Sequence, residues 1–274
     1  MTIAINIAVP EGIVFAADSR QTFTNAKGDV RVSSDNGQKL MQLGPRAGAV
    51  TYGWAFLLGR SIQSHVTDYK LSLGEKIPPI EELAKGLGEY LTKQYNEHIE
   101  KKFDKPVPDG NYALALLVGG YDVGDKNGRV YEVYVPKGEY YLVRATVDKV
   151  GSGWRGHTSV IARLLKGCDG RIRDLPGFTP ELGKGLDESK LDYNVDYWSM
   201  PLQDAVDFAT FLVHTTIQMQ RFSDGILLKP GDSANCGGPI DVAVIEPNEG
   251  FRWVQRKNLH VNQVGTSGGV IAET

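Results

Sequence analysis

The order of segments along the chain predicts an α+β fold, two antiparallel sheets with a pair of helices on each outer face. Three observations predict it. Stretches with strand character come in groups, strands, two helices, strands, two helices, strands, and not in the one-for-one alternation of a doubly wound parallel sheet. The intervals between neighbouring strands are short turns such as Pro10-Glu11-Gly12 and Lys137-Gly138, which join antiparallel partners. The helical segments carry apolar residues at three- and four-residue spacing, the stripe that a helix needs to lie on a sheet.

Taken in order, IAINIAV (3–9) and IVFAAD (13–18) read as a hairpin, one that would hold the first residues firmly instead of letting them fray. Residues 19–37 are polar with scattered glycine and predict a long loop or a small hairpin. QKLMQLG and AGAVTYG are two short strands that end near Gly53. A helix is expected from Trp54 to about Leu73, with Phe56, Leu57, Ile62, Val66 and Tyr69 on one side. Lys76-Ile77-Pro78-Pro79 breaks it, and a second helix runs from Ile80 to about Lys102 on Leu83, Leu87, Leu91 and Tyr95. YALALLVGGYD (112–122), RVYEVYVP (129–136) and EYYLVRA (139–145) form a strand block. KVGSG then leads into a helix from about Trp154 to Lys166. Residues 168–198, rich in Gly, Asp and Pro, read as an insertion or long loop. A further helix spans Pro201 to about Arg221, with Val206, Ala209, Phe211, Val213 and Ile217 as its apolar residues. Pro201 suits its first turn. DGILLKPGDSANCGG is loop, PIDVAVIEP (239–247) and FRWVQ (251–255) are a last hairpin, and the tail begins after about 257.

The chain has 274 residues and shows no repeat, no low-complexity tract and no linker, so 1–274 is expected to be one domain. Its formal net charge of −3 and the lack of a basic stripe argue against nucleic acid as a partner. The longest apolar runs fall well short of a membrane span, and the start of the sequence has no basic leader or cleavage signature, so a cytoplasmic location and no membrane are expected. Two cysteines and five histidines form no HExxH, CxxC or i, i+4 pair, so neither a metal nor a cofactor is expected.

The candidate chemistry starts at Thr2. A Thr after an initiator Met is common and usually means nothing. If Met1 is removed, however, Thr2 carries a free α-amine, whose reference pKa of about 7.7–8.0 lies near working pH. Such an amine takes the proton from the Thr hydroxyl and returns it to a leaving amine, which puts nucleophile and base on one residue. Asp18 ends the second strand, where an Asp often caps a turn, but across the hairpin it would lie close to Thr2. Lys39 opens the next strand. Drawn inward, it would favour a neutral amine on Thr2 and would need Asp18 as its partner. Gly53 joins a strand to a predicted helix, where a glycine eases a turn or turns a backbone N–H toward a developing oxyanion. GSGWRG (151–156) fits the G-x-G-x-x-G of dinucleotide sites, with Asp174 near the expected distance. The antiparallel strands before it disfavour that reading, and Ser152 as a hydrogen-bonding pocket residue is preferred.

These residues resemble a family. TIAINIAVPEGIVFAADSR is similar to the start of proteasome β-type subunits, members of the N-terminal-nucleophile hydrolases. The Thr-to-Asp spacing of 18 − 2 = 16 and the Lys-to-Gly spacing of 53 − 39 = 14 are the family's own, and the loop between Asp18 and Lys39 is about five residues longer than usual. VGGYD (118–122) is similar to the family's strand motif before its next hairpin. The resemblance implies a four-layer αββα sandwich, a threonine-type peptidase acting through an acyl-ester on Thr2, peptide or protein substrates and self-assembly into homo-oligomeric rings, and it leaves an unfolding partner open. It assigns Ser152 in VGSG (150–153) to a hydrogen bond with the terminal amine. The family's R-D-x-x-S-G-G is replaced by GDSANCGG, which puts Cys236 at the family's Ser and Ser233 at its Asp, with Asp232 one residue early. Which of these three supports the amine stays open. MQRF…CGGPIDVAVIEP resembles the bacterial homologues called Anbu. An amidohydrolase, an acyl transferase with the same nucleophile, and a non-catalytic ring-forming subunit are the alternatives.

Overall fold

The computed structural model describes residues 2–223 and 233–258. The chain opens with the hairpin β1 (Ile3–Val9) and β2 (Gly12–Ala17), followed by a small hairpin, β3 (Gln21–Thr24) and β4 (Val30–Ser34). Next come β5 (Leu40–Gly44), β6 (Ala47–Gly53), the two-residue strands β7 (Phe56–Leu57) and β8 (Arg60–Ser61), and the helices α1 (Ile62–Ser72) and α2 (Ile80–Glu100). The middle block is β9 (Leu114–Gly120), β10 (Arg129–Val135), β11 (Tyr140–Ala145) and β12 (Gly151–Gly156). It is followed by α3 (Ser159–Lys166), a 3-10 turn (Gly170–Asp174), α4 (Pro180–Glu188), α5 (Leu202–Phe222) and the hairpin β13 (Asp241–Glu246) and β14 (Gly250–Gln255).

Two five-stranded sheets result, ordered β12-β1-β2-β13-β14 and β11-β10-β9-β6-β5, and every neighbouring pair in them is antiparallel. The side chains of β1 explain why it lies inside the sheet and is covered on both faces. Ile3, Ile5, Ile7 and Val9 pack with Ile161 and Leu165 of α3 and with Ala205, Ala209, Leu212 and Val213 of α5. Ala4, on the opposite face, joins Phe15 and Ile13 in a second core with Leu40, Val50, Leu117 and Val130 of the other sheet. Large β-branched residues thus meet the helices, and small ones let the sheets approach each other. A third core joins the outer face of the second sheet to α1 and α2 through Leu83, Leu87, Leu91 and Tyr95. The first turn of α2 carries Glu81 and Glu82, which suit the positive end of the helix dipole, and the Asp122 carboxylate accepts from the Ile80 N–H at 2.7 Å.

Four expectations change. The helix expected from Trp54 begins at Ile62, because Leu58 and Gly59 have φ of 54° and 73° and form the turn between β7 and β8, a conformation no α-helix accepts. GSGWRG is strand β12 and not a loop before a helix, since it pairs with β1 from Ile3 to Ala8. That also removes the dinucleotide reading, which needs a phosphate-binding turn at this point. Phe211 is 49% exposed on the outer side of α5 instead of joining its buried stripe. Residues 168–198 are not all loop, for Thr179 caps α4 by accepting from the Leu182 N–H at 3.3 Å. The small-hairpin alternative for 19–37 holds as β3 and β4. No helix among the described residues is long and apolar enough to cross a membrane.

Candidate active site

The amino end of β1 is held on both sides. On one side the Asp18 N–H donates to the Ile3 carbonyl at 3.3 Å, and on the other the His157 N–H donates to the Thr2 carbonyl at 2.7 Å. Gly156 allows that second approach. Its φ is +85°, and a side chain there would collide with the Thr2 carbonyl oxygen. Thr2 is therefore fixed one residue before the first paired position, and it is 4% exposed.

Asp18 follows β2 directly and is fully buried. Its Oδ1 accepts from the Ile3 N–H at 3.0 Å and from Lys39 Nζ at 2.6 Å. Its Oδ2 accepts from the N–H groups of Arg20 at 3.2 Å and Gly237 at 3.0 Å. Four donors thus converge on one carboxylate, the condition under which a buried charge is tolerated. Lys39 is held in turn, because its carbonyl accepts from the Thr51 N–H at 2.9 Å. The amine of Lys39 is drawn inward by Asp18, as its position in the sequence suggested.

Gly53 closes β6 with φ +96°, and a Cβ there would lie 2.6 Å from the Ala113 carbonyl oxygen. Trp54 donates to that same carbonyl at 2.9 Å. Antiparallel strands turn successive N–H groups to opposite sides, so the Gly53 N–H turns away from β9, to the side where Thr51 donates to Lys39. Thr2, Lys39, Thr51 and Gly53 line a single cleft of about 690 Å³, together with Gln21, Thr22, Gln38, Tyr52, Trp54 and Asp104. Among the described residues, no cluster of His, Cys, Asp and Glu is arranged to hold a metal ion.

Ser152 is not brought to Thr2. It lies opposite Ile7, on the face of the sheet that packs against helices, five register positions from Thr2. At about 3.4 Å per residue that is about 17 Å. Its Oγ is hydrogen-bonded to the Tyr197 hydroxyl at 2.5 Å. The reason is the position of Ser152 near the far end of β12. The strand continues to Gly156, so the residue that faces Thr2 is His157. Burial, with the positive charge of Arg171, holds the His157 imidazole below its ordinary pKa.

Of the three residues in GDSANCGG, Asp232 lies outside the described residues. Ser233 donates its N–H to the Val30 carbonyl at 3.1 Å, which ties it to β4. Cys236 is buried against α5, and burial pushes its thiol up to about 12. The contribution of this loop is its backbone. Gln220 Oε1 accepts from the N–H groups of Asn235 at 2.8 Å and Cys236 at 3.0 Å, which leaves the next N–H, that of Gly237, aimed at Asp18. Arg20 braces the same loop, donating to the Ala234 carbonyl at 3.1 Å and forming a two-toothed pair with Asp35 at 2.6 and 2.9 Å. Sequence reading missed Gln220, Gly237 and the Arg20–Asp35 pair. The glycine pair of CGG was the one available signal.

No family model matches the sequence, and no curated protein matches it. Among solved structures, an Anbu (Gly-1) mutant from Hyphomicrobium sp. strain MC1 matches with a TM-score of 0.55 at 17% identity, over 94% of this chain and 86% of that one. At that identity the likeness shows the fold, a mixed arrangement of antiparallel sheets and helices similar to Anbu.

Proposed function

We propose that the chain is an N-terminal-threonine hydrolase, built as a single four-layer αββα domain and acting on peptide or amide bonds. The observation that carries this reading is the buried Asp18–Lys39 pair beside the amino end of β1, whose lysine lines the cleft that also holds Thr2 and Gly53. A lysine 8% exposed and an aspartate 0% exposed make a costly arrangement that packing alone does not require. The similarity to Anbu supports the same reading.

In this reading Met1 is removed and Thr2 gains a free amine. The Thr2 hydroxyl oxygen attacks the carbonyl carbon while its proton passes to the amine. The positive Lys39 disfavours a protonated amine beforehand and favours the oxygen as it gains charge. The Gly53 N–H donates to the oxyanion. Collapse breaks the C–N bond, the leaving nitrogen takes the proton, and water cleaves the resulting ester in the same manner.

The exposed stripe of Phe211, Met219 and Phe222 on the outer side of α5 supports assembly with further copies of the chain, which sedimentation would report as a mass above that of the monomer. The catalytic reading is tested with protein whose intact mass shows loss of Met1. A threonine-reactive epoxyketone should label that protein on Thr2, and Thr2→Ala should abolish the label. An adduct at another residue, or none on trimmed protein, rejects it.

A further inference from the structure

The nucleophile and the oxyanion donor stand on different sheets. Thr2 precedes β1 of the first sheet, and Gly53 ends β6 of the second. Apart from the Asp18–Lys39 pair, the packing between the sheets in this region is apolar and carries little directional information, so the gap between the two groups needs a further specific setting.

Besides the Lys39–Asp18 pair, a second polar connection crosses the two sheets beside the cleft. Arg155 of β12 lies opposite Ala4, two residues from Thr2. Its guanidinium reaches across to Glu132 of β10, with Nη2 donating to Oε2 at 2.6 Å and Nε donating to Oε1. Glu132 Oε1 also accepts from the hydroxyl of Tyr52, the residue before Gly53. Glu132 is 2% exposed and Tyr52 3%. The Tyr52 ring is further held edge-on by Tyr112, with ring centroids 6.0 Å apart.

We propose that Arg155, Glu132 and Tyr52 form a positioning clasp that sets the Gly53 N–H against the Thr2 hydroxyl. The proposal rests on the reading of Thr2 as nucleophile. Each part suits the task. A bidentate guanidinium–carboxylate pair fixes direction as well as distance. Burial and the hydrogen bond to Glu132 raise the Tyr52 phenol, which stays protonated and can only donate to the carboxylate. Burial alone would raise Glu132, but Arg155 and Tyr52 outweigh it and hold the carboxyl below its ordinary value. The clasp is therefore charged and fully engaged at neutral pH. None of its groups touches the reacting atoms.

The test is saturation kinetics of epoxyketone labelling on trimmed protein, which separates the binding constant from the acylation rate constant. Tyr52→Phe keeps the ring and removes one oxygen. It should lower the acylation rate constant by about tenfold, the scale of a sub-ångström misplacement, and leave the binding constant within about twofold. Glu132→Gln should act in the same direction, and the double variant should lose little more than the worse single one, since both break one connection. Thermal midpoints are read in parallel. Acylation at the wild-type rate in Tyr52→Phe overturns the clasp, as do additive losses in the double variant, or equal losses in binding and acylation that follow a fall in midpoint. Absence of a Thr2 adduct on wild-type protein rejects the nucleophile and the clasp together, whereas a wild-type adduct with an indifferent Tyr52→Phe rejects the clasp alone.

Discussion

Lys39→Met tests the residue on which the electrostatics of the proposed site turn. The substitution keeps most of the stem's packing and removes the charge. It leaves Asp18, which is 0% exposed, with three backbone donors and no counter-ion. Breaking a buried pair from one side costs about 3 kcal/mol, which urea unfolding would report as a lower midpoint with unchanged slope. Labelling of Thr2 should be lost as well. A variant as stable as wild type would mean that the pair is solvated and that the account of the buried charge is wrong. Gly53→Ala tests the oxyanion donor by sterics alone. The backbone there has φ +96°, and the new methyl would press on the Ala113 carbonyl. A loss of about 2 kcal/mol in stability is expected from the left-handed conformation and the contact. Acylation should fall by about 10²-fold as the N–H shifts from its position. Retained acylation would remove Gly53 from the mechanism. At this scale the spacing in the sequence was informative for Asp18, Lys39 and Gly53, because each sits at the end of a strand whose pairing fixes it. It misled for Ser152, because the V-G-S-G run marks the active end of a strand only if the strand stops there, and β12 runs three residues beyond it, to Gly156.

At the scale of elements, what could be read from the sequence was what short-range pattern controls. The hairpin β1–β2, helix α2 and the block β9 to β11 follow from apolar periodicity and turn residues, and all appear close to their expected limits. What could not be read depended on partners distant in the chain. GSGWRG has no strand periodicity of its own and is a strand because β1, about 150 residues earlier, offers it hydrogen bonds. The turn at Leu58 and Gly59 was hidden because flanking apolar residues fit a helical stripe by chance. The role of α5 was only half visible. Its buried face was expected, but its last turn also holds the loop at 235–237 through Gln220. Gln220→Ala would leave the buried N–H groups of Asn235 and Cys236 without their acceptor, at a cost of about 1–3 kcal/mol. It would also slacken the Gly237 N–H that donates to Asp18. Amide hydrogen exchange should then quicken at Asn235, Cys236 and Gly237 more than in β13. Uniform quickening would mean that the helix end and the loop unfold with the whole protein and that Gln220 has no local role.

The molecule as a whole joins its two sheets by an apolar core and, at the end that holds Thr2, by the Asp18–Lys39 and Arg155–Glu132 pairs. The Arg155–Glu132 pair gives stability a specific dependence on acid. Glu132 has a folded pKa below its ordinary value of 4.5. As pH falls past about 4.5 the unfolded chain takes up a proton at this carboxyl that the folded chain still refuses, so the unfolded state gains. The stabilisation from the pair is fully present above 4.5 and is lost as pH falls through the lower, folded value. Other carboxylates lowered by a partner, Asp35 and Asp169 among them, act in the same direction, so the acid limb of the wild-type protein alone cannot isolate this one. The difference between wild type and Glu132→Gln can. The amide does not titrate, so the variant should start less stable at pH 7, and the gap between the two curves should narrow steadily between pH 5 and pH 3. Urea midpoints across that range measure it. Parallel curves would mean that Glu132 has the same proton affinity folded and unfolded, and that this charge does not help to hold the sheets at the Thr2 end.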